Sequence, residues 1–350
     1  MTKSMRYDIT KVVLTLLVVF AHASRMYAGG VYTPIHSSFS LRVLTAIIYA
    51  FHMPAFLMLS GCIFGYQIDN GKYTDNCAFL KGKAIVLLIP YVVVGIFVVA
   101  PTMVALNLTE DSFVCYVYNG ILLGKNNRHL WYVFALFWMF VLTIPLRKLL
   151  VKRSLVCGAV LIAGSFLLSC FNRFSGTMQM WETVHYFPFF ICGIYLNRYW
   201  ERIFARENCV WICVCAILSL AILFLRVFFF NRVLSVIFAL AGCAALFCIV
   251  ALLPIAIGEW KWLRWVFKNS YGIYLFHPML IYILFSFTWH RDIAPWLLCG
   301  GIFLISTIAS IIVTIIIREM RLGPVIGERV RLKNNGTKQI VSLHSDQERL

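Results

Sequence analysis

The sequence has few charged residues for its length, and acidic residues are especially scarce. Charged side chains make up 13% of the 350 residues, with 14 Asp and Glu against 31 Lys and Arg. A soluble domain is about one quarter charged, whereas 61% of this chain is hydrophobic. Water therefore cannot be the main solvent of the folded chain, which excludes an ordinary soluble fold.

The chain also lacks the alternation of apolar and polar residues that is typical of strands in a membrane barrel. It has long continuous apolar runs instead, such as residues 302–317. Lipid offers no partner to a free backbone N–H or C=O group, so a membrane-spanning chain must form helices or a closed barrel. The sequence therefore predicts an all-α, polytopic integral membrane helical bundle.

Several signatures of soluble chemistry are missing. No P-loop, GxGxxG, GxSxG or HExxH pattern occurs, so the sequence gives no support to those nucleotide, hydrolase or peptidase sites. The 12 cysteines contain no CxxC pair, and we expect neither disulfides nor a metal site. The net charge of +17 lies in short caps between apolar runs, which predicts contact with membrane lipids and no nucleic acid.

Ten apolar segments are candidates for membrane spans. With the N-terminus inside, 22 Lys and Arg residues fall at the inner face and 8 in outer loops. This asymmetry favours an N-in, C-in topology with about ten helices. The membrane domain is expected at 1–320, and the polar residues 321–350 are expected to be a disordered cytoplasmic tail. The segments are 9–29, 43–65, 84–106, 130–146, 154–171, 184–197, 209–229, 233–254, 270–288 and 295–317.

The first apolar segment carries ionisable residues, which are costly in lipid and usually face a polar interior. At 100° per residue, Asp8, Lys11, Thr15 and His22 line one face of a helix. Lys11 and His22 are about 16 Å apart along its axis. Asp8 and Lys11 alone could be a packing ion pair. A histidine on the same line favours chemistry, because imidazole can act as a general base or nucleophile.

The second segment places another histidine at a similar depth. His52 is expected in its outer half, and Pro54 should kink the helix and free nearby carbonyl groups. A lone membrane histidine is more often a packing residue, but two at matching depth favour a functional site. Ser60 and Gly61 allow another helix to approach closely.

Other residues leave alternatives open. His129 and His185 are expected at the outer interface, either rimming the same cavity or simply beside the aromatic belt. For His277, which precedes Pro278, we expect a helix-kink role nearer the inner side. Lysines in the cap before the third segment, at positions 81 and 83, are either topological anchors or contacts for a polyphosphate.

Taken in order, these motifs resemble the acyltransferase 3 family of polytopic membrane acyltransferases. Lys11, ten residues and then His22 look like the family's first-helix signature, and residues 51–61 look like its second-helix motif. Lys81-x-Lys83 resembles its basic entry to the third helix, although many members carry an arginine pair at different spacing. Later matches lie at Leu130-Trp131-Tyr132, at 186–193 and at 270–278, so the resemblance covers about residues 6–320.

The resemblance implies transfer of an acyl group, usually acetyl from acetyl-CoA, to a hydroxyl group of a cell-surface or exopolysaccharide sugar. It implies that acyl-CoA is a donor substrate, that the acceptor is a surface glycan or lipid-linked sugar, and that the protein lies in a bacterial inner membrane. The expected catalytic residues are His22, Lys11 and Asp8. Lys81 and Lys83 are expected to bind the CoA phosphates, and substrate contacts are expected from His52, Arg25, Ser60 and Trp131.

Two other classes of function are alternatives to an acyltransferase. Polar stripes and kinked helices also mark the pathways of transporters and flippases, although the sequence shows no inverted repeat of broken segments. A membrane-anchored interaction subunit would leave the alignment of Asp8, Lys11 and His22 unexplained.

Overall fold

Helices account for nearly all the regular structure of the chain. The computed structural model describes residues 3–73, 75–152, 154–229 and 231–328, and no strand occurs in these ranges. Ten long helices lie within the described residues, and each overlaps one predicted apolar segment; the helical path of α3 continues to Ala105 through a π-helical turn at Gly95–Val99. They are α1 Lys3–Ser24, α2 Phe39–Asp69, α3 Asn76–Val94, α4 Trp131–Val151, α5 Leu155–Cys170, α6 Met180–Ile203, α7 Cys209–Phe224, α8 Arg232–Leu252, α9 Lys261–Thr288 and α10 Pro295–Glu319. The predicted all-α membrane bundle is confirmed.

Eight of the described helices are long and apolar enough to cross a membrane by length and composition. One of the eight, α7, reaches this length together with its flanking 3-10 turns, as Arg206–Val227. Of the other two, α5 is a shorter apolar helix of 16 residues, and α6 is not one of the eight. The count of ten spans and the N-in, C-in topology therefore stay predictions. Of the predicted polar tail, residues 329–350 lie outside the described residues, whereas Gly323–Ile326 form a short 3-10 turn whose Ile326 is buried.

Local sequence explains where several helices begin. The side chain of Ser38 accepts a hydrogen bond from the backbone N–H of Leu41 at the start of α2. Asp75 caps α3 through the N–H of Cys77. Such caps satisfy backbone donors that have no partner within the helix. The helices therefore start where the sequence changes from short polar loops to apolar runs.

α1 is packed among α2, α8, α9 and α10 and is central to the bundle. Its N-terminal half contacts the first half of α9, because the Lys11 amino group lies 5.1 Å from the ring centroid of Phe267. Its C-terminal end contacts α9 again through His22 and His277. The two helices therefore run in the same direction. We call the end of the bundle where α1 begins the inner end, and the end where α1 finishes the outer end.

The closest helix crossing joins α2 and α6, and two glycines make it possible. A Cβ atom on Gly61 would lie 2.0 Å from the carbonyl oxygen of Phe190, and one on Gly193 would lie 1.9 Å from that of Met58. Real Cβ atoms cannot approach a backbone oxygen so closely. Small residues at such crossings let two backbones pack directly against each other in a membrane protein.

A polar network closes the inner ends of α1, α2 and α6, and we call it the inner network. Asp69 accepts hydrogen bonds from Arg198 at 3.4 Å and from the amide of Asn197 at 3.2 Å. The hydroxyl of Tyr7 donates to Asn197 at 3.0 Å, and Lys3 donates to the carbonyl oxygen of the same residue. A cavity of about 340 Å³ lies beside these groups. Each of these polar groups has a hydrogen-bond partner, so we expect the network to stabilise the packing of the inner ends of α1, α2 and α6.

Candidate active site: a buried histidine cluster

Four histidines from different parts of the chain meet near the outer end of the bundle. They are His22 at the end of α1, His52 on α2, His129 just before α4 and His277 on α9. The ring centroids of His22 and His277 are 5.1 Å apart, and those of His129 and His277 are 6.0 Å apart. Except for His22, which is half-buried, these side chains are buried. We call these four residues the histidine cluster.

Tyr49 connects His52 to the rest of the cluster. Its ring centroid lies 4.9 Å from that of His52 and 6.1 Å from that of His22. Tyr49 and His52 are three residues apart on α2, so they share one face of that helix. The predicted match in depth between His22 and His52 is therefore what the structure shows, with an aromatic ring between the two imidazoles.

Backbone carbonyl groups fix the tautomers of three cluster histidines. Nδ1 of His52 lies 2.8 Å from the oxygen of Ile48, and Nδ1 of His277 lies 2.7 Å from that of Ile273. Nε2 of His129 lies 3.0 Å from the oxygen of Leu275. A carbonyl oxygen only accepts, so each of these ring nitrogens donates its proton.

In the neutral rings, the opposite nitrogen of each histidine is therefore a lone-pair acceptor. Two of these acceptors, Nδ1 of His129 and Nε2 of His277, are buried and have no hydrogen-bond partner within the described residues. A buried polar atom left in this state costs about 1–3 kcal/mol. The cluster thus offers acceptor nitrogens that suit a hydroxyl or N–H donor.

The predicted stripe on α1 faces α9 over most of its length. Lys11 and His22 both contact that helix, and Lys11 is buried. Thr15 lies between them, and its hydroxyl donates to the carbonyl oxygen of Lys11 at 2.8 Å. Asp8 is half-buried one turn before Lys11. The stripe therefore runs inside the bundle from the inner half of α1 to the histidine cluster, and not along a lipid-facing surface.

Arg25 lies at the outer opening of the cluster. Its guanidinium group lies 5.5 Å from the ring centroid of Tyr49 and is exposed. Nη1 of Arg25 donates to the carbonyl oxygen of Ala28 at 3.3 Å. Stacking on an aromatic ring stabilises a guanidinium group, and its remaining N–H donors can bind an anion or a hydroxyl. The position is compatible with the predicted substrate contact.

Ser60 and Trp131 lie deeper, in an aromatic group that adjoins the cluster. The hydroxyl of Ser60 is 2.9 Å from that of Tyr132, and the ring of Tyr132 is 5.6 Å from that of Tyr274. Tyr274 in turn contacts His129, with ring centroids 5.6 Å apart. Trp131 stacks on Tyr186 at 5.3 Å. Both predicted substrate residues are thus linked to the histidines through a chain of aromatic contacts.

The two lysines at the start of α3 have different surroundings. Lys81 is exposed at the inner end. Lys83 is only 5% exposed, and its amino group lies 4.5 Å from the ring centroid of Phe140 and 5.4 Å from that of Tyr73. Residues two apart on a helix point to different sides. The structure therefore does not place the two lysines on one surface.

His277 was misplaced by the sequence reasoning. We expected it nearer the inner side with a helix-kink role, because the predicted segment began at residue 270. α9 begins at Lys261 instead and runs parallel to α1, so His277 lies past its middle and against His22. The tryptophans and basic residues of 261–268 hid this early start. A longer window on the helical period would have put His277 at the level of the other histidines.

Tyr49 was also missed by the sequence reasoning, although it stands one helical turn before His52 and shares its face.

No set of three or more His, Cys, Asp or Glu side chains among the described residues is arranged to hold a metal ion. What the arrangement supports chemically is proton transfer. Its imidazoles lie at the end of a buried polar stripe and are lined by tyrosines that keep the site largely apolar.

Comparison with protein families agrees with this geometry. A family model described as an acyltransferase domain matches residues 6–317, which is nearly the whole described chain and includes all four histidines of the cluster. No curated protein and no solved structure matches the chain. The chain belongs to the acyltransferase 3 family, and it is a multi-pass membrane acyltransferase.

Proposed function

We propose that this protein transfers an acetyl group from cytoplasmic acetyl-CoA to a hydroxyl group of a cell-surface or exopolysaccharide sugar, in the inner membrane of a bacterium. The observation that carries the proposal is the position of His22, at the outer end of a buried stripe that starts near Asp8 and Lys11. Such a stripe joins the side of a cytoplasmic donor to the side of an external acceptor.

The chemistry assigned to His22 is proton transfer or brief acyl transfer. As a base, His22 takes the proton of the sugar hydroxyl while that oxygen attacks the thioester carbonyl. The carbon–sulfur bond breaks, and the CoA thiolate leaves and is protonated by the His22 imidazolium. As a nucleophile, His22 first carries the acetyl group and then passes it to the sugar. Both routes end in the same ester and free CoA.

Donor binding is assigned to the inner end of the bundle. Lys81 is exposed there and can contact CoA phosphates as a point charge. Lys83 is enclosed by two aromatic rings, and in the proposal it fixes the start of α3 beneath the bound nucleotide. The pantetheine arm then follows the stripe past Lys11, whose charge is balanced by Asp8.

Acceptor binding is assigned to the outer opening. Arg25 and His52 flank Tyr49 beside His22, and aromatic faces such as that of Tyr49 suit the apolar face of a sugar ring. Trp131 at the start of α4 and Ser60 on α2 are assigned to the same acceptor site, because both contact the aromatic residues beside the cluster. The acceptor, whether a surface glycan or a lipid-linked sugar, reaches His22 from this side.

Membrane vesicles that contain the protein and receive radiolabelled acetyl-CoA test the proposal. We expect label to appear in the glycan fraction, with none when vesicles carry His22→Ala. Transport of unmodified glycan across the vesicle membrane without labelling would instead establish a transporter or flippase. Absence of both labelling and transport, with the protein correctly inserted, would contradict the proposed transfer.

A further inference from the structure

His277 is the most completely enclosed member of the histidine cluster. None of its surface is exposed, although an ionisable group at such depth in a membrane protein is costly and normally has a role. Its ring contacts the ring of His22, with centroids 5.1 Å apart and planes inclined by 69°. Among the described residues, no other ring contact brings a second imidazole as close to His22.

The backbone determines which nitrogen of His277 is available. Nδ1 donates to the carbonyl oxygen of Ile273, one turn earlier on α9. Nε2 is therefore the acceptor in the neutral ring. That atom is buried and has no hydrogen-bond partner in the described part of the chain. The fold thus fixes the orientation of an acceptor nitrogen beside His22 and leaves it unsatisfied.

The distance between the rings allows a direct hydrogen bond. Each atom of an imidazole lies about 1.1 Å from its ring centroid, so rings 5.1 Å apart can bring two nitrogens to about 2.9 Å, the usual donor–acceptor distance. This distance is reached when one nitrogen of each ring lies on the line between the centroids, which the proposal attains by turning the half-buried His22 ring while His277 is held by its backbone bond.

We propose that His277 is a positioning residue that accepts a hydrogen bond from the ring N–H of His22 through Nε2. This inference rests on the proposed function. The bond fixes the tautomer of His22 and directs its other nitrogen, with the free lone pair, towards the reactants. When that nitrogen takes a proton from the acceptor hydroxyl, His22 becomes an imidazolium and the existing bond to His277 becomes charge-assisted and stronger.

This arrangement follows the general logic of a base that is oriented by a third group. The orienting group here is a neutral imidazole, so no carboxylate has to be buried in the membrane. His129 also packs against His277, with ring centroids 6.0 Å apart. Its Nε2 donates to the carbonyl oxygen of Leu275 on α9, which fixes the position of its ring.

Two substitutions separate positioning from structure. In His277→Asn, the side-chain amide can still donate to Ile273 in place of Nδ1, but the acceptor Nε2 is lost. In His277→Gln, the longer side chain places an amide oxygen near the former position of Nε2. We expect the Asn variant to lower kcat for acetyl transfer roughly 10- to 100-fold, the loss expected for one hydrogen bond to a charged group. KM for acetyl-CoA should stay within about twofold, and the Gln variant should recover part of kcat.

The rates are measured with radiolabelled acetyl-CoA in membrane vesicles and divided by the amount of folded protein, found by size-exclusion chromatography in detergent. His290→Asn, which changes an exposed histidine in an outer loop, is the matched control and should behave as wild type. A wild-type kcat for His277→Asn would overturn the inference, and so would a Gln variant as slow as the Asn variant.

A double-mutant cycle tests whether His277 acts through His22. If it does, adding His277→Asn or His277→Gln to His22→Ala should lower the residual rate no further, whereas independent effects would multiply. Multiplying effects would overturn the inference. Absence of acetyl transfer by the wild type would instead contradict the proposed function, so the two failures are distinguishable.

Discussion

Two buried polar regions lie at different levels of α1 and α2, which contribute to both, and they are built differently. In the inner network, Asp69, Asn197 and Arg198 satisfy one another, and Tyr7 and Lys3 complete the set. In the histidine cluster, three rings are fixed by backbone carbonyl groups, and the acceptor nitrogens of His129 and His277 are left without a partner in the described residues. Satisfied polar groups hold helices together, whereas fixed but unsatisfied acceptors can still take a hydrogen bond, from a neighbouring imidazole in the case of His277 or from a reactant.

The largest effect is expected in the histidine cluster. His22→Ala removes the imidazole of the proposed stripe on α1. General acid–base catalysis raises a reaction rate by about 10²–10⁴-fold. We expect acetyl transfer per folded molecule to fall by roughly a thousandfold, with unchanged thermal unfolding in detergent. His36→Ala, in an exposed outer loop, should retain wild-type transfer. Appreciable acetyl transfer by His22→Ala would contradict the assignment of the reaction to the histidine cluster.

The converse result is expected in the inner network. Asp69→Asn leaves the guanidinium group of Arg198, whose side chain is 3% exposed, without its carboxylate. Breaking a buried ion pair costs about 3 kcal/mol or more of the free energy of unfolding. Thermal unfolding in detergent should show this loss, while the transfer rate per folded molecule stays near that of wild type.

The matched control for this substitution is Asp292→Asn. Asp292 accepts a hydrogen bond from His36 at 2.6 Å, but both side chains are exposed, and exposed pairs contribute little. Its unfolding midpoint should therefore not change measurably. If Asp69→Asn unfolded like Asp292→Asn but lost transfer activity, the inner network would be part of the reaction site and the comparison would fail.

Substitutions of glycine test whether the close crossing of α2 and α6 stabilises the part of the bundle that carries the inner network. Gly193→Ala forces a methyl group onto the carbonyl oxygen of Met58, so the two helices must separate. Overpacking of this kind costs about 2 kcal/mol, which a lower unfolding midpoint would show. Gly164→Ala on α5 meets nothing within 4 Å and should not lower the midpoint, since Ala favours a helix. Equal behaviour of the two variants would contradict the close crossing.

The smallest effect is expected for the exposed lysine of α3. Lys81→Ala should raise KM for acetyl-CoA by about fivefold, as expected for one solvated contact to phosphate, with little change in kcat or stability. Lys83→Met keeps the length of the buried side chain but loses its attraction to Phe140 and Tyr73, so we expect it to lower the unfolding midpoint. Steady-state kinetics and thermal unfolding would distinguish the two lysines. An unchanged KM for Lys81→Ala would remove its proposed contact with CoA.

Much of the candidate site could be predicted from residue spacing. Lys11 and His22 share a face because helical periodicity is a local property of the backbone. The structure adds that α1 presents both residues to α9. The depth of His52 followed from the antiparallel direction of the second segment. His277 could not be placed in the same way, because its depth depends on where α9 starts, and interfacial tryptophans make that boundary ambiguous in a hydropathy pattern.

The sequence also could not predict that Lys81 and Lys83 have different environments. Both lysines cap the same apolar segment, and only the packing of α4 and the loop before α3 puts the second one between Phe140 and Tyr73. A cation over aromatic rings depends on contacts between residues distant in the chain, which periodicity does not encode.

The sequence by itself determined that the chain is a bundle of membrane helices, because apolar length and the absence of polar alternation leave a backbone in lipid no other means of satisfying its hydrogen bonds. It also determined which face of α1 is polar. Only the tertiary structure decided which histidines meet, since the four imidazoles come from positions 22 to 277 and are brought together by the parallel packing of α1 and α9. Only the fold, through backbone carbonyl groups one turn away or on a neighbouring helix, decided which nitrogen of His52, His129 and His277 is left as an acceptor.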